Sequence, residues 1–575
     1  MVSPNLIRKQ VNAEPLEFND NTKKLFQIIY SEANRKEEEG ENEPKIKVGE
    51  LISHLSLFYE KIRNAVQYDE DHLLRKNAIS RILRRQVIIE GVIKEVDSEK
   101  LSQHLLTELI RGGYLPNNAI LEKKIAEISV LLDKYLQLKD EVISNINSVL
   151  NAKTNISSAN KLLQKKNNVI RWLLNLAACE IEENLNPNRV KKIIVGNMFD
   201  VLCHDIALPS NSPYSQDLEI QIYLSIGRKF LKLDKDMLSF VLFKYYNENW
   251  LDLNKISDKE EKKREIKKIA QRFDALDAKI NQQLNHSLSR DLDKIVRRYA
   301  LYFTILTEAI SENPVQAYKL AQEGEKPFSQ LIAKICNNKY KNAKSRLWRA
   351  GLRSIIYIFL TKSVFVLLIE VPAIKWFGEN LNILTLAINI SFPAILLLFI
   401  ILFTRKPGSN NTDKIIAGIK QVTLVGKENK QPIYIKPKRK RRFLTNLIFN
   451  LIYTTAFIFS LYLIINVLTA INFTWVSIII FLFFLAFVSF FSIIVTRGIR
   501  ELMIVERQEN IVTFLVDLFY MPIILVGRWL SGNMSRINVF IFFFDFIIEA
   551  PFKILVDVAE DWTRYIRERR DNMES

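Results

Sequence analysis

Four apolar runs after about residue 350 constrain this chain more than any other feature. They cover residues 352–374, 381–404, 444–470 and 473–495. Each meets the length of about 20 mostly apolar residues that a helix needs to cross a hydrocarbon core. The turns between the first two and between the last two are short, so the pattern predicts two membrane hairpins, 351–404 and 444–496. Before them, residues 21–350 alternate charged and apolar positions at helical spacing. The expected fold is all-α: an irregular tail over 1–20, a helical cytoplasmic domain over 21–350, then a polytopic helical membrane domain.

Charge orients this arrangement. The net charge is +18, yet the excess is concentrated beside the apolar runs. Residues 339–353 hold six basic residues and no acid, and residues 405–442 hold twelve basic residues against Asp413 and Glu428. Arginine and lysine beside spans stay on the cytoplasmic side. The loop 405–443 is therefore expected in the cytoplasm, together with both termini, in a plasma or inner membrane. The opening residues, Met1-Val2-Ser3-Pro4-Asn5, do not read as a cleavable signal peptide. With few aromatics among the basic runs, the charge argues for a membrane surface rather than nucleic acid.

Glycine and proline number only 16 each, which suits long helices. Asp69-Glu70-Asp71 marks a helix start, and Gly112-Gly113 followed by Pro116 marks a stop. A long coiled-coil-like helix is expected from Ile120 to Leu150, with a stripe through Ile125, Ile128, Leu131, Leu132 and Leu136. Another amphipathic pattern passes through Leu51, Leu55, Leu57, Phe58, Ile62 and Val66. Breaks fall at Asn186-Pro187-Asn188, Pro209 to Pro213, and Asn313-Pro314. The nearly all-charged stretch 255–268 reads as a solvated helix or spacer. In the basic loop, residues 421–425 and 433–435 flank a polar turn and suggest a small hairpin.

Residues 497–575 are expected to hold two further amphipathic or spanning helices and a tail. In the first, Thr513, Asp517, Tyr520 and Arg528 share one arc. In the second, Asn538, Asp545, Glu549, Lys553 and Asp557 do. Such stripes belong to a helix in the interface or to one facing a polar seam.

The charged residues inside apolar runs are the candidates for chemistry. Lys362 sits near the middle of the first span, where a charge costs at least about 2.5 kcal/mol. Glu370 follows eight residues later, about 12 Å along a regular helix and about 80° around it, which argues against a direct pair. The sequence Ile369-Glu370-Val371-Pro372 also sets this carboxylate two residues before a proline that leaves a helix carbonyl unpaired. With Asp517, Asp545 and Glu549, these residues form a candidate polar cluster. The alternative for Asp545 and Glu549 is an ordinary salt-bridged face with Lys553. Lys436, Lys438, Arg439, Lys440, Arg441 and Arg442 form a candidate contact for anionic lipid headgroups, or simply a topogenic signal.

Cys179, Cys203 and Cys336 are far apart, without a Cys-x-x-Cys pair. His204-Asp205 invites comparison with metal phosphohydrolases, but His54, His72, His104 and His286 supply no ligand spacing for it. No phosphate-binding glycine loop, nucleophile elbow or zinc-protease motif is present. No cofactor or metal is expected. The first reading is a non-enzymatic scaffold or regulatory protein at the membrane, meeting a protein partner or a second copy of itself through 21–350. The alternative is a channel or transporter that uses its intramembrane charges. The third is a membrane-bound hydrolase of lipid or phosphate esters. Ligand, partner and oligomeric state are not encoded in any recognisable motif.

Overall fold

The computed structural model describes residues 16–35, 44–49, 60, 70–89, 97–151, 156–209, 212–256, 258–380, 382–426, 431–435, 443–505 and 510–536, with a few single positions beyond. The described residues are almost wholly helical, and the all-α expectation holds. The pattern through Leu51 to Val66, the basic run Lys436 to Arg442, and the stretch with Asp545 and Glu549 lie outside them, apart from Glu60. The chain divides into two compact units, one drawn from Met1–Tyr30 with Arg297–Val539, the other from Ser31–Val296 with Phe540–Ser575.

The second unit is a helical domain. Its elements are α2 (Asp71–Arg84), α3 (Ser98–Arg111), α4 (Lys123–Asn151), α5 (Ile156–Leu185), α6 (Arg189–Asp205), α7 (Leu218–Lys229), α8 (Lys235–Tyr246), α9 (Lys259–Gln271) and α10 (Phe273–Leu284). The expected punctuation is present. Glu70 precedes α2, Gly112 follows α3, and Asn188 caps α6 by accepting from the Lys191 amide. Gly113 takes φ +70°, a left-handed conformation that costs glycine little, and so turns the chain off α3. Of the expected stripe on α4, Ile128, Leu131 and Leu132 are buried and Ile125 and Leu136 partly buried, while Tyr135, Leu138 and Val142 extend the buried face. Each such side chain contributes about 1.5–3 kcal/mol of burial.

The charged stretch 255–268 takes the helical one of its two expected forms, with most of its charged residues exposed. Residues 259–271 form α9, and Ile266, Ile269 and Ala270 are buried on it. Three apolar residues at spacings of three and four suffice to seat a helix whose other faces are charged.

The first unit holds α11 (Ser289–Glu312, in its larger part), α12 (Pro314–Gln322), α13 (Glu325–Phe365), α14 (Val371–Trp376), α15 (Ile383–Phe403), α16 (Ser409–Thr423), α17 (Phe443–Ala470), α18 (Trp475–Glu501) and α19 (Ile511–Arg536). Among the described residues, four helical segments are long and apolar enough to cross a membrane: Glu325–Trp376, Ile383–Phe403, Phe443–Ala470 and Trp475–Glu501. They match the four runs expected from sequence. The change from charged to apolar composition falls inside α13, which continues without a break for 41 residues. α1 (Asp20–Arg35) precedes all of these.

Residues 16–19 carry no regular element, as expected of the tail, but they are anchored: Phe18 bridges Leu424 and its ring lies 5.7 Å from that of Phe328. The Asn19 amide donates to Thr423, and the Val425 amide donates to Glu17. The small hairpin expected over 421–435 is replaced. Residues 421–423 are the last turn of α16, because Ile415, Ile419 and Val422 recur at helical spacing and are buried. Among the described residues of 421–435, Ile433–Tyr434 forms a short strand.

α19 lies along α18. A Cβ on Gly527 would collide with the backbone carbonyl of Ala486, so the two helices touch main chain to main chain there. Ser460 of α17 donates to the Phe519 carbonyl of α19 at 3.3 Å. α19 thus packs against α17 and α18.

Candidate functional site: a buried polar cluster among the apolar helices

Lys362 and Glu370 are both fully enclosed, each 0% exposed. A π turn, Val366–Glu370, separates α13 from α14 and ends just before Pro372. Proline cannot donate to the fourth residue back, and its ring crowds that carbonyl, so widening the turn before it relieves both problems. The π turn changes the azimuth of everything after it. An i→i+5 turn holds about one residue more than an α turn, which sets the following residues back by about 100°. The expected offset of about 80° between Lys362 and Glu370 becomes roughly −20°. The two charges therefore share one face, which regular helix geometry did not allow.

That face packs on α15 and α18. Glu370 Oε1 accepts from Asn389 Nδ2 and from Ser477 Oγ, each at 2.6 Å. Asn389 belongs to α15 and is 0% exposed, and Ser477 is buried in the first turn of α18. Eight residues back, the Lys362 ammonium sits 3.9 Å from the centroid of the Phe484 ring and 5.9 Å from that of Phe365. Ser477 and Phe484 are seven residues apart on α18, whereas Glu370 and Lys362 are eight apart. The extra residue is the one absorbed by the π turn, so the antiparallel helices stay in register.

The cluster is incompletely bonded. Among the described residues, Lys362 Nζ, Glu370 Oε2 and Asn389 Oδ1 have no hydrogen-bond partner. Lys362 and Glu370 form no direct ion pair within 4 Å among them either. A cation over an aromatic face recovers about 0.5–2 kcal/mol, less than the cost of burying the charge.

The other predicted residues are distributed differently. Asp517 is exposed on α19 and is not brought into the cluster. Asp545, Glu549 and Lys436 to Arg442 lie outside the described residues. Asn389, Ser477 and Phe484 were not among the residues expected from sequence, because none of them carries a formal charge; Asn389, the one amide side chain in Ile383–Phe403, was a usable signal. His204 Nδ1 lies 3.2 Å from Asp205, with the histidine side chain 65% exposed. Among the described residues no three His, Cys, Asp or Glu side chains gather as a metal site.

The helical domain also buries charge, but with its partners beside it. Lys134 on α4 lies 2.6 Å from Glu180 Oε1 on α5, and Glu180 Oε2 accepts from Tyr135 and Trp250, each at 2.8 Å. Burial pulls the Lys134 ammonium below its ordinary range, more than Glu180 raises it. Lys76 on α2 lies 2.5 Å from Asp234 and 3.4 Å from Asp236. Burial lowers it, but the two aspartates outweigh burial and hold it above the ordinary lysine value.

No family model, curated protein or solved structure matches this chain.

Proposed function

We propose that this chain is an integral membrane protein whose bundle moves a small ion or proton, as a channel or transporter, with Lys362 and Glu370 as its charged centre. One observation carries the reading. Two fully buried, oppositely charged side chains share a face without pairing, and a π turn places them there. A bundle serving only as an anchor gains nothing from such a cost, whereas buried ionisable residues in spans mark ion and proton pathways. The free oxygens Glu370 Oε2 and Asn389 Oδ1 can receive a cation, and the Lys362 ammonium can compete with it. In this reading the four apolar segments cross the bilayer and α19 lines the bundle. The positive-inside rule keeps both termini and the 405–443 loop in the cytoplasm. Lys436 to Arg442 would meet anionic headgroups.

Purified chain in proteoliposomes should dissipate an imposed proton or alkali-cation gradient, and Lys362→Met and Glu370→Gln should each slow that flux at least about tenfold. Absent flux, or flux indifferent to both changes, overturns the proposal. A reporter placed in the 405–443 loop and found outside the cell would overturn the topology.

A second reading has its own support. The helical domain opens a cavity of about 400 Å³, with Val195, Leu233, Met237 and Val241 in its lining and Lys191 beside them. A membrane-anchored, non-enzymatic interaction protein would use this groove for an apolar segment of a partner. Crosslinking from the groove in intact membranes should capture one stable partner, and Met237→Asp should abolish it. Capture that survives Met237→Asp counts against the groove.

A further inference from the structure

A second candidate site lies where α13 changes from polar to apolar. The face of α13 carries Lys341, Lys344 and Trp348 at spacings of three and four, and the apolar sequence begins with Leu352. Opposite stands the segment from α15 to α16, with Lys406 and the uncapped start of α16 at Gly408. Between them is a cleft of about 790 Å³. Its walls are pinned. Asn411 Nδ2 donates to Tyr340 Oη at 2.8 Å and to the Leu502 carbonyl at 2.9 Å, and Asn411 Oδ1 accepts from the Ile504 amide at 2.8 Å. Lys341, Lys344 and Lys406 are exposed, and among the described residues none has a carboxylate within ion-pair distance. Asp413 is the one acid in the lining.

We propose that this cleft binds the phosphate of an anionic phospholipid headgroup. The shared chemistry is a phosphate ester met by three ammonium groups, with the first free amides of α16 beside them. Depth selects the lipid as its source. Trp348 lies four residues, about 6 Å, before Leu352, and Lys406 lies three residues after Phe403, the last residue of α15. Both positions fall in the headgroup layer that flanks the hydrocarbon core, where tryptophan and lysine anchor. The inference rests on the apolar helices crossing the bilayer, but not on transport through them. It is also separate from the basic run at Lys436 to Arg442.

Native mass spectrometry of the full chain in neutral detergent tests it, titrating phosphatidylglycerol against phosphatidylcholine of the same acyl length. The wild-type chain should favour the anionic lipid on the order of tenfold or more. The combined change Lys341→Gln, Lys344→Gln and Lys406→Gln should reduce that preference to about twofold or less, and the corresponding three arginine changes should retain it. A circular dichroism melt identical to wild type would show that the glutamine variant folds. Preference surviving the glutamine changes overturns the proposal. So does its disappearance when only Lys436, Lys438, Arg439, Lys440, Arg441 and Arg442 are neutralised. Inorganic phosphate that competes as strongly as the lipid would assign the cleft to a free anion and overturn the lipid assignment. Loss of flux in proteoliposomes with lipid preference intact would break the transport reading alone.

Discussion

Lys134 of the helical domain and Lys362 of the apolar bundle are both completely buried, yet their surroundings differ in kind. Lys134 has Glu180 at 2.6 Å, the Trp250 carbonyl at 3.3 Å and the Trp250 ring at 4.5 Å. Lys362 has the faces of two phenylalanines and a carboxylate that turns its bonded oxygen toward Asn389 and Ser477 instead. A buried charge with all partners in place is part of a core, because removing any one leaves the others stranded. A buried charge without them is tolerated at a cost, and such a cost is expected where charge has work to do. Burial is common to the two lysines; they differ in the completeness of the surrounding bonds.

Breaking the complete network should give the largest effect. Glu180→Ala strands Lys134, Tyr135 and Trp250 and should destabilise the helical domain by about 3–5 kcal/mol, read as a lowered thermal midpoint by circular dichroism. Adding Lys134→Met to it should restore much of that loss. Lys362→Met should act in the opposite sense: removing an uncompensated charge and a cation–π contact should leave the bundle roughly 1–2 kcal/mol more stable while flux falls. A destabilised Lys362→Met protein would place Lys362 in the same structural class as Lys134. Gly527→Ala should cost about 1–3 kcal/mol by forcing α19 away from Ala486, and should lower the midpoint in detergent.

The smallest effect is a pH dependence in the helical domain. Burial holds the His72 imidazole below its ordinary value of 6.5, with the nearby Lys191 ammonium adding to the depression. The unfolded chain therefore binds the proton more readily than the folded one. This histidine's contribution is complete above pH 6.5 and declines as pH falls below it. His72→Gln should flatten the fall in thermal midpoint below pH 6.5 and leave the midpoint above it nearly unchanged. An unchanged acid slope would remove His72 from the account.

Much of the architecture could be read from periodicity and punctuation. Asn188, Asn313 and Gly112 stand where helices begin or end because backbone groups at helix termini need partners or left-handed freedom. The four long apolar segments follow from length and hydropathy. Other features depended on neighbours distant in sequence. The anchoring of Phe18 needs Phe328 and Leu424, and the seating of α9 needs a core that its charged residues conceal.

Lys362 and Glu370 could be singled out from sequence because a charge within an apolar run violates the expected pattern on its own. Their relation could not. It depends on a single widened turn before Pro372 and on the residues of α15 and α18 that pack against it. Composition and local spacing determined that this chain is helical, which segments are apolar enough to enter a bilayer, and which charges are out of place there. Only the packed helices decided which face each charge occupies and whether it finds a partner, because azimuth accumulates along a helix and one extra residue in a turn rotates everything beyond it.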